Sequence, residues 1–239
     1  MIKNLTYELL GIKSPTIVFL HGWGMNGNSF DKVISGIKAD QQMLKLDFFS
    51  FGTSDKAEEY FDTYEYAYHV FLLIKKLNIN RIILVGHSFG GRVAMILSSV
   101  FDINVESCVL TSSAGINRFS LCKELKIIKY KIIKFLIKKK ILSNNVLSNY
   151  GSSDYKKLNQ SDKQVFIRII NQDLKYLVKK IKSNVLLVWD KKDDITPYWI
   201  CKYLYKTLIN KNIILYKNGK HFAFLYNINK FTKLLNNLI

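Results

Sequence analysis

The 239-residue chain is short of acidic residues, of cysteine and of long apolar runs. Its three cysteines, at positions 108, 122 and 201, are odd in number and lack metal-binding spacing, which argues against a disulfide framework or a zinc site. We therefore expect no metal and no other cofactor. The longest apolar runs, at 70–74 and 185–189, fall far short of the roughly 20 residues of a membrane-spanning helix.

The first residues also lack the features of a secretory signal peptide, namely a charged region, an apolar stretch and a small-residue cleavage site. Together with the cysteine usage, this predicts a soluble cytoplasmic protein. Acidic residues number 18 against 36 basic ones, a formal net charge of +18, and most of the basic residues are lysine. Because the lysines are scattered and arginine is scarce, the composition argues against nucleic-acid binding.

Short β-branched runs alternate with longer helical patterns along the chain. Strands are predicted at 16–20, 43–47, 81–85, 105–111, 185–189 and 212–216, with an edge strand at 5–10. Helices are predicted at 61–77, 91–101, 197–209 and 222–238. Several strands are apolar throughout, as expected for strands covered on both faces of a parallel sheet. The alternation predicts an α/β fold with a mostly parallel central sheet flanked by helices.

One long connection interrupts this alternation. Residues 112–184 separate two predicted strands, whereas connections in α/β units usually span about 2–6 residues. This stretch shows two helical patterns, near 123–141 and 162–180. We therefore predict a core formed by residues 1–111 and 185–239 and an inserted helical cap formed by residues 112–184.

The sequence Gly-His-Ser-Phe-Gly-Gly at 86–91 directly follows a predicted strand and opens a predicted helix. A Gly-x-Ser-x-Gly pattern in this context indicates a sharp strand-to-helix turn, in which glycines remove the side chains that would clash. Such a turn exposes the Ser88 hydroxyl at the carboxyl edge of the sheet. Ser88 is therefore the candidate nucleophile.

A nucleophilic serine needs a base, and the base needs an orienting carboxylate. Of the four histidines, His221 lies in the loop after the last strand, at the same edge of the sheet as Ser88. His87 is expected to point away from the site, His21 to bond backbone near the first loop, and His69 lies within a predicted helix. The loop after residues 185–189 offers three candidate acids, which are Asp190, Asp193 and Asp194.

These motifs resemble those of the α/β-hydrolase family. The resemblance covers most of the core: His-Gly-Trp-Gly at 21–24, the loop at 47–55, the elbow at 86–91, the segment 189–197 and Gly-Lys-His-Phe at 219–222. It implies an α/β-hydrolase fold and a serine hydrolase with a catalytic triad. The chain departs from the family pattern at two glycine positions, which are occupied here by Ser50 and Asp190.

The resemblance also implies roles for particular residues. Aligning Trp189 and Pro197 with the family pattern places the catalytic acid at Asp193. The oxyanion hole would use the backbone N–H groups of Trp23 and Phe89. The form of residues 21–24 is also similar to that of pimeloyl-acyl carrier protein methyl ester esterases.

Two hypotheses of function follow. The first is a serine hydrolase that cleaves a carboxylic ester or thioester of a small-to-medium acyl substrate through an acyl-enzyme, with a small-molecule ester or a carrier-protein-linked acyl ester as the substrate. The second is a non-catalytic binding protein of the same fold. The presence of Ser88, Asp193 and His221 in the order that this fold uses favours the enzyme.

The predicted cap contains a lysine-rich helical stretch. Residues 123–140 include lysines at 123, 126, 129, 131, 134, 138, 139 and 140, with Glu124 as the acid among them. Leu125, Ile128, Ile132, Phe135 and Leu136 recur at helical spacing and predict one apolar face over the active-site mouth. The lysines form either a solvated outer face or a docking surface for an acidic carrier protein or an anionic membrane.

Overall fold

The computed structural model describes residues 4–118, 121–139, 142–143, 155–156 and 158–239, with the side chains of all of these except 121–128 and 138. Seven strands form one sheet in the order β1-β3-β2-β4-β5-β6-β7. Strand β1 is antiparallel to β3, and every other neighbouring pair in the described sheet is parallel. The strands are β1 (Tyr7–Leu10), β2 (Lys13–Leu20), β3 (Gln41–Leu46), β4 (Ile82–His87), β5 (Val105–Thr111), β6 (Asn184–Asp190) and β7 (Lys211–Tyr216).

Helices cover both faces of this sheet, and every residue of β4 is buried. The α-helices are α1 (Asp31–Ile34), α2 (Thr63–Lys76), α3 (Phe89–Val100), α4 (Leu121–Lys138), α5 (Gln160–Asn171), α6 (Lys175–Val178), α7 (Tyr198–Thr207), α8 (Ala223–Tyr226) and α9 (Ile228–Asn236). Side chains of α2, α3 and α7 form an apolar core on one face, whereas those of α1, α8 and α9 form a core on the other. The prediction of a mostly parallel sheet between helical layers is confirmed.

Two predicted helices are shorter than their sequence patterns indicate. The pattern at 222–238 is split at Asn227, whose backbone leaves the helical region and whose side chain caps α9 by accepting from Lys230 N–H. The pattern at 162–180 is split where α5 ends at Asn171 and Gln172 adopts an extended ψ of 121°. In both places a polar side chain forms hydrogen bonds that compete with helix continuation.

The break after α5 is held against the core by several hydrogen bonds. The Gln172 side chain donates to Asp62 Oδ2 at 2.7 Å and accepts from Thr63 N–H at 2.9 Å. The Gln172 backbone carbonyl accepts from the buried Arg92 guanidinium at 2.9 Å. Burial lowers the pKa of Arg92 to about 10, although nearby Asp173 opposes this shift. The stretch between β5 and β6 is therefore fixed to the core just before it returns to the sheet.

The prediction for the apolar face of α4 is wrong in part. Ile132 and Phe135 are 53% and 58% exposed, whereas Ile133 is buried. The half-buried side chains of Tyr130 and Ile137 lie three and four residues from Ile133, so the inward stripe follows these positions. Leu136 is half-buried, and the side chains of Leu125 and Ile128 lie outside the described residues. The lysines at 129, 131, 134 and 139 are exposed. In the described part of the chain, no helix is long and apolar enough to cross a membrane.

The order of the strands decides where a site can form. The chain proceeds from β2 outward to β3 and then returns to β4 on the other side of β2. The loops that leave β2 and β4 therefore diverge at the carboxyl edge of the sheet. This topological switch point is where open α/β sheets bind ligands.

Candidate active site

Ser88 occupies a strained turn between β4 and α3, with φ 50° and ψ −107°. A positive φ is costly for a residue with a side chain and persists only where the surroundings enforce it. Here the Ser88 N–H donates to the Thr111 carbonyl, and the Ser88 carbonyl accepts from Gly91 and Ala114, all at 3.1 Å. The half-buried Ser88 side chain is thereby held at the carboxyl edge of the sheet.

The glycines of the turn are required by the backbone that packs against them. A Cβ at Gly90 would lie 1.9 Å from the Leu20 carbonyl oxygen, and one at Gly86 would lie 2.6 Å from the Gly90 carbonyl oxygen. At Gly91 it would lie 2.2 Å from Ser113 Oγ. These contacts are too short for any side chain, so the glycine pattern follows from the close approach of β2, β4 and β5.

Asp193 and His221 meet on the other side of the carboxyl edge. His221 Nδ1 lies 3.1 Å from Asp193 Oδ2 and 3.2 Å from Oδ1, and both side chains are buried. Burial alone would raise the pKa of Asp193, but hydrogen bonds from His221 and Thr196 outweigh it and lower this pKa below its ordinary value. Asp194, by contrast, is exposed. Of the three candidate acids, Asp193 is therefore the one that the fold pairs with His221.

Ser88 lies at the same edge of the sheet, since the ring of its neighbour His87 is 4.8 Å from the ring of His221. Among the described residues, no hydrogen bond joins Ser88 Oγ to His221 Nε2. Catalytic hydrogen bonds of this kind often tighten only when substrate binds. The structure thus brings Asp193 and His221 into direct contact and places Ser88 at the same edge of the sheet.

Thr196 is a part of the site that the sequence analysis does not predict. Its hydroxyl lies 2.7 Å from Asp193 Oδ2, 3.0 Å from the Ser112 carbonyl oxygen and 3.2 Å from His221 Nδ1. Its backbone N–H donates to Asp193 Oδ1 at 2.9 Å. Asp side chains often accept from backbone N–H groups a few residues later. The spacing of Asp193 and Thr196 is therefore the one local signal for this contact.

Two further histidines surround the elbow in neutral form. His21 accepts from Phe48 N–H through Nε2 at 2.9 Å, and its Nδ1 lies 2.8 Å from the Gly22 carbonyl, as expected for a structural role. Burial lowers the pKa of His21 to about 4. His87 does not point away from the site as predicted, because β4 directs its ring between Thr111 and His221. Burial and the proximity of His221 lower the pKa of His87 to about 3.

Two backbone amides flank the Ser88 side of the site. Phe89 begins α3, where the first N–H groups have no partner within the helix. Trp23 lies in the loop after β2, and its ring centroid is 5.4 Å from that of Phe89. In the part of the chain that the structure describes, neither the Trp23 nor the Phe89 N–H donates to a protein acceptor. Their role as an oxyanion hole stays a prediction.

Three aromatic side chains, those of Trp23, Phe51 and Phe166, form a wall next to the Trp23 amide. The Trp23 ring is 4.8 Å from Phe51 and 5.1 Å from Phe166 of α5, measured between centroids. Nearby, Ser50 Oγ donates to Asp162 Oδ1 of α5 at 3.0 Å. Ser50 has φ 68°, a left-handed conformation that favours glycine, at a position where the family pattern has glycine. Among the described residues, no cluster of three or more His, Cys, Asp or Glu side chains could hold a metal ion.

Comparison with known proteins shows which family has this architecture. The family model for the α/β-hydrolase fold matches residues 15–134. The chain belongs to the α/β-hydrolase family. This α/β hydrolase is 27% identical to an uncharacterized hydrolase of Bacillus subtilis, over 86% of this chain and 82% of that protein. It is 31% identical to a serine hydrolase-like protein of Mus musculus, over 42% of this chain and 33% of that one.

Solved structures support the same fold. An esterase from Exiguobacterium antarcticum superimposes with a TM-score of 0.75 at 19% identity, covering 98% of this chain and 95% of that one. The aligned region spans only about a third of several curated relatives. The predicted family and fold are confirmed. The likeness to pimeloyl-acyl carrier protein methyl ester esterases stays a prediction.

Proposed function

We propose that this α/β hydrolase cleaves carboxylic esters of small-to-medium acyl groups through a covalent acyl-enzyme. The observation that supports this most directly is the buried Asp193–His221 pair beside the strained Ser88 turn. A binding protein needs no such pair, and the pairing determines the tautomer of His221. With Nδ1–H directed at Asp193, the Nε2 atom is left as a proton acceptor.

The first half of the proposed reaction forms the acyl-enzyme. Ser88 Oγ attacks the ester carbonyl carbon while His221 Nε2 takes the hydroxyl proton, and Asp193 stabilises the resulting imidazolium. The carbonyl oxygen becomes an oxyanion and accepts hydrogen bonds from the Trp23 and Phe89 N–H groups. Collapse of the tetrahedral intermediate breaks the bond to the alkoxy oxygen, which takes the proton from His221 and leaves as the alcohol.

The second half releases the acid. A water molecule gives a proton to His221 Nε2 and attacks the acyl carbonyl carbon. The second tetrahedral intermediate then collapses and breaks the bond between the acyl carbon and Ser88 Oγ. Ser88 Oγ takes the proton from His221, and the carboxylic acid leaves. The wall formed by Trp23, Phe51 and Phe166 lies next to the proposed oxyanion hole and supports an apolar acyl group. A thioester would follow the same steps with a thiol as the leaving group.

The test is labelling and turnover of the purified chain. Wild-type protein should react with a fluorophosphonate probe and hydrolyse p-nitrophenyl butyrate, and Ser88→Ala should do neither. Ser99→Ala on the same helix is the matched control, since its hydroxyl bonds only carbonyls of its own helix, at 2.6 Å and 3.4 Å. Absence of labelling in native wild-type protein would contradict the enzyme and favour the non-catalytic binding protein.

A substrate panel separates the remaining alternatives. We expect kcat/KM to be highest for butyrate to octanoate esters and lower for matched thioesters. A methyl ester bound to an acyl carrier protein tests the alternative of a carrier-linked substrate. A preference of more than tenfold for that substrate over a free ester of equal acyl length would replace the small-ester proposal.

A further inference from the structure

Asp190 is a buried acid at a position where the family pattern has glycine. It is the last residue of β6, is 2% exposed, and lies opposite Tyr216 at the end of β7. Strand β6 leads into the loop that contains Asp193, and β7 leads into the loop that contains His221. The Asp190 side chain is therefore located between the two loops that must meet.

Its carboxylate accepts hydrogen bonds from both loops. Oδ1 accepts from Lys192 N–H at 2.8 Å, and Oδ2 accepts from Gly219 N–H at 2.7 Å and Lys220 N–H at 2.9 Å. Lys192 immediately precedes Asp193, and Lys220 immediately precedes His221. One carboxylate thus fixes the backbone directly before the proposed acid and directly before the proposed base.

The loop before His221 needs such an anchor. Asn218 has φ 67° and Lys220 has φ 46°, so two non-glycine residues are left-handed within three positions. Such conformations are costly for residues with a side chain and persist where the surroundings impose them. The two hydrogen bonds to Asp190 Oδ2 join this turn to the end of β6, and so define the position from which His221 reaches Asp193.

The hydrogen bonds need a carboxylate rather than an amide. Both oxygens of Asp190 accept from backbone N–H groups, whereas an asparagine would place its NH₂ group against one of them. No Lys, Arg or His among the described residues forms an ion pair with Asp190. Its charge is met by the three backbone donors, and hydrogen bonds to a charged acceptor are roughly twice as strong as neutral ones.

We propose that Asp190 is a positioning residue that aligns His221 with Asp193 by clamping their two loops, in place of the family's glycine. This inference rests on the proposed esterase function. Asp190 acts through the backbone and touches no reacting atom. Its removal should therefore lower kcat and leave KM nearly unchanged, because the substrate is bound by other groups.

The test compares Asp190→Asn and Asp190→Gly with Asp194→Asn, the exposed neighbouring acid. We expect both Asp190 variants to lose about 10- to 100-fold in kcat on p-nitrophenyl butyrate, since small misplacements of catalytic groups have effects of this size. KM should stay within about twofold, and Asp194→Asn should behave like wild type. Asp190→Gly covers the possibility that the buried amide of Asp190→Asn prevents folding.

A second measurement does not depend on activity. The proton between His221 Nδ1 and Asp193 gives a far-downfield proton NMR signal, which is identified by its loss in His221→Gln. The signal should broaden or disappear in both Asp190 variants and persist in Asp194→Asn. If wild-type protein lacks esterase activity, the proposed function fails, and the NMR signal still reports on the clamp.

Three outcomes would overturn the clamp. The first is an unchanged downfield signal in folded Asp190→Gly. The second is a kcat equal to that of Asp194→Asn. The third is loss of folding in both Asp190 variants, which would show that Asp190 acts on the stability of the fold rather than on the alignment of His221.

Discussion

The two halves of the site are held in different ways. On the Ser88 side, geometry depends on missing side chains, because Gly86 and Gly90 allow backbone to approach within distances that a Cβ would forbid. On the Asp193–His221 side, geometry depends on added side chains, since Asp190 and Thr196 each contact the loop that contains His221. The first arrangement tolerates almost no added side chain, whereas the second depends on hydrogen bonds from particular polar side chains.

The largest effect should come from breaking the Asp193–His221 half. Asp193→Asn should lower kcat by about 10⁴-fold, because the amide no longer fixes the proton on His221 Nδ1. Steady-state hydrolysis of p-nitrophenyl butyrate measures it. Asp194→Asn is the control and should lose less than about threefold. A greater loss in Asp194→Asn than in Asp193→Asn would assign the acid to Asp194.

Substitutions in the Ser88 half should reduce the stability of the fold rather than only the rate of the reaction. Gly90→Ala places a Cβ against the Leu20 carbonyl and should lower the free energy of unfolding by about 3 kcal/mol. For a chain of this length that is a drop in Tm of roughly 6–12 °C. Thermal unfolding followed by circular dichroism measures it. Gly24→Asn is the control, because a Cβ there meets nothing within 4 Å and asparagine adopts positive φ readily. Equal losses of Tm would refute the steric argument.

Sequence patterns predict the Ser88 half better than the Asp193–His221 half, because missing side chains are visible in the sequence and contacts between distant side chains are not. The glycines around Ser88 are visible because no other residue fits, and the fully buried β4 shows as an uninterrupted apolar run. The loop at 190–194 leaves three candidate acids, since only the folded loop shows which of them meets His221. The roles of Asp190 and Thr196 depend on contacts with β7 and with Ser112, which lie far away in the sequence.

The same distinction holds for the fold. The strands are predicted to within a few residues, because burial on both faces leaves a local signal. The end of α5 at Asn171 is not predicted, since it follows from contacts of Gln172 with Asp62 and Arg92. The prediction that Ile132 and Phe135 of α4 face inward is wrong. The helix carries two rows of apolar residues, and their spacing alone does not show which row is buried.

The two halves of the site should lose their contributions to stability in different pH ranges. His21 and His87, on the Ser88 side, have pKa values lowered by burial from 6.5 to about 4 and about 3. The unfolded chain binds protons below pH 6.5 and the folded chain does not, so stability falls as the pH drops from 6.5. The lowered pKa of Asp193 acts only below its ordinary value of 3.8.

Urea unfolding at pH 7 and pH 5 measures the histidine contribution. We expect a loss on the order of 2 kcal/mol per histidine over this interval. His21→Asn should lose correspondingly less between the two pH values than wild type does. An identical pH dependence in wild type and His21→Asn would contradict a neutral, buried His21.

The smallest effect should come from charge outside both halves. If the exposed lysines of α4 dock an acidic carrier protein, kcat/KM on a carrier-bound ester should fall several-fold between 50 and 300 mM salt, because surface charges are screened over about 8 Å at physiological ionic strength. Lys131→Glu with Lys134→Glu should reproduce the loss and leave a small neutral ester unaffected. Lys182→Glu with Lys206→Glu is the matched control, and a vesicle-bound ester distinguishes an anionic membrane. Equal effects on both classes of substrate would leave these lysines as a solvated surface.

The parallel sheet also sets the distance between the two halves of the site. Ser88 follows β4, whereas His221 follows β7, three strands away and about 14 Å at the usual strand spacing. The His221 loop must therefore cross the ends of β6 and β5, and Asp190 supports it at the first of these, one strand from β7. The stretch between β5 and β6 leaves and re-enters the sheet at adjacent strands, which pair from Ser107 to Thr111 of β5. The length of that stretch therefore does not enter into the distance that the sheet sets between Ser88 and His221.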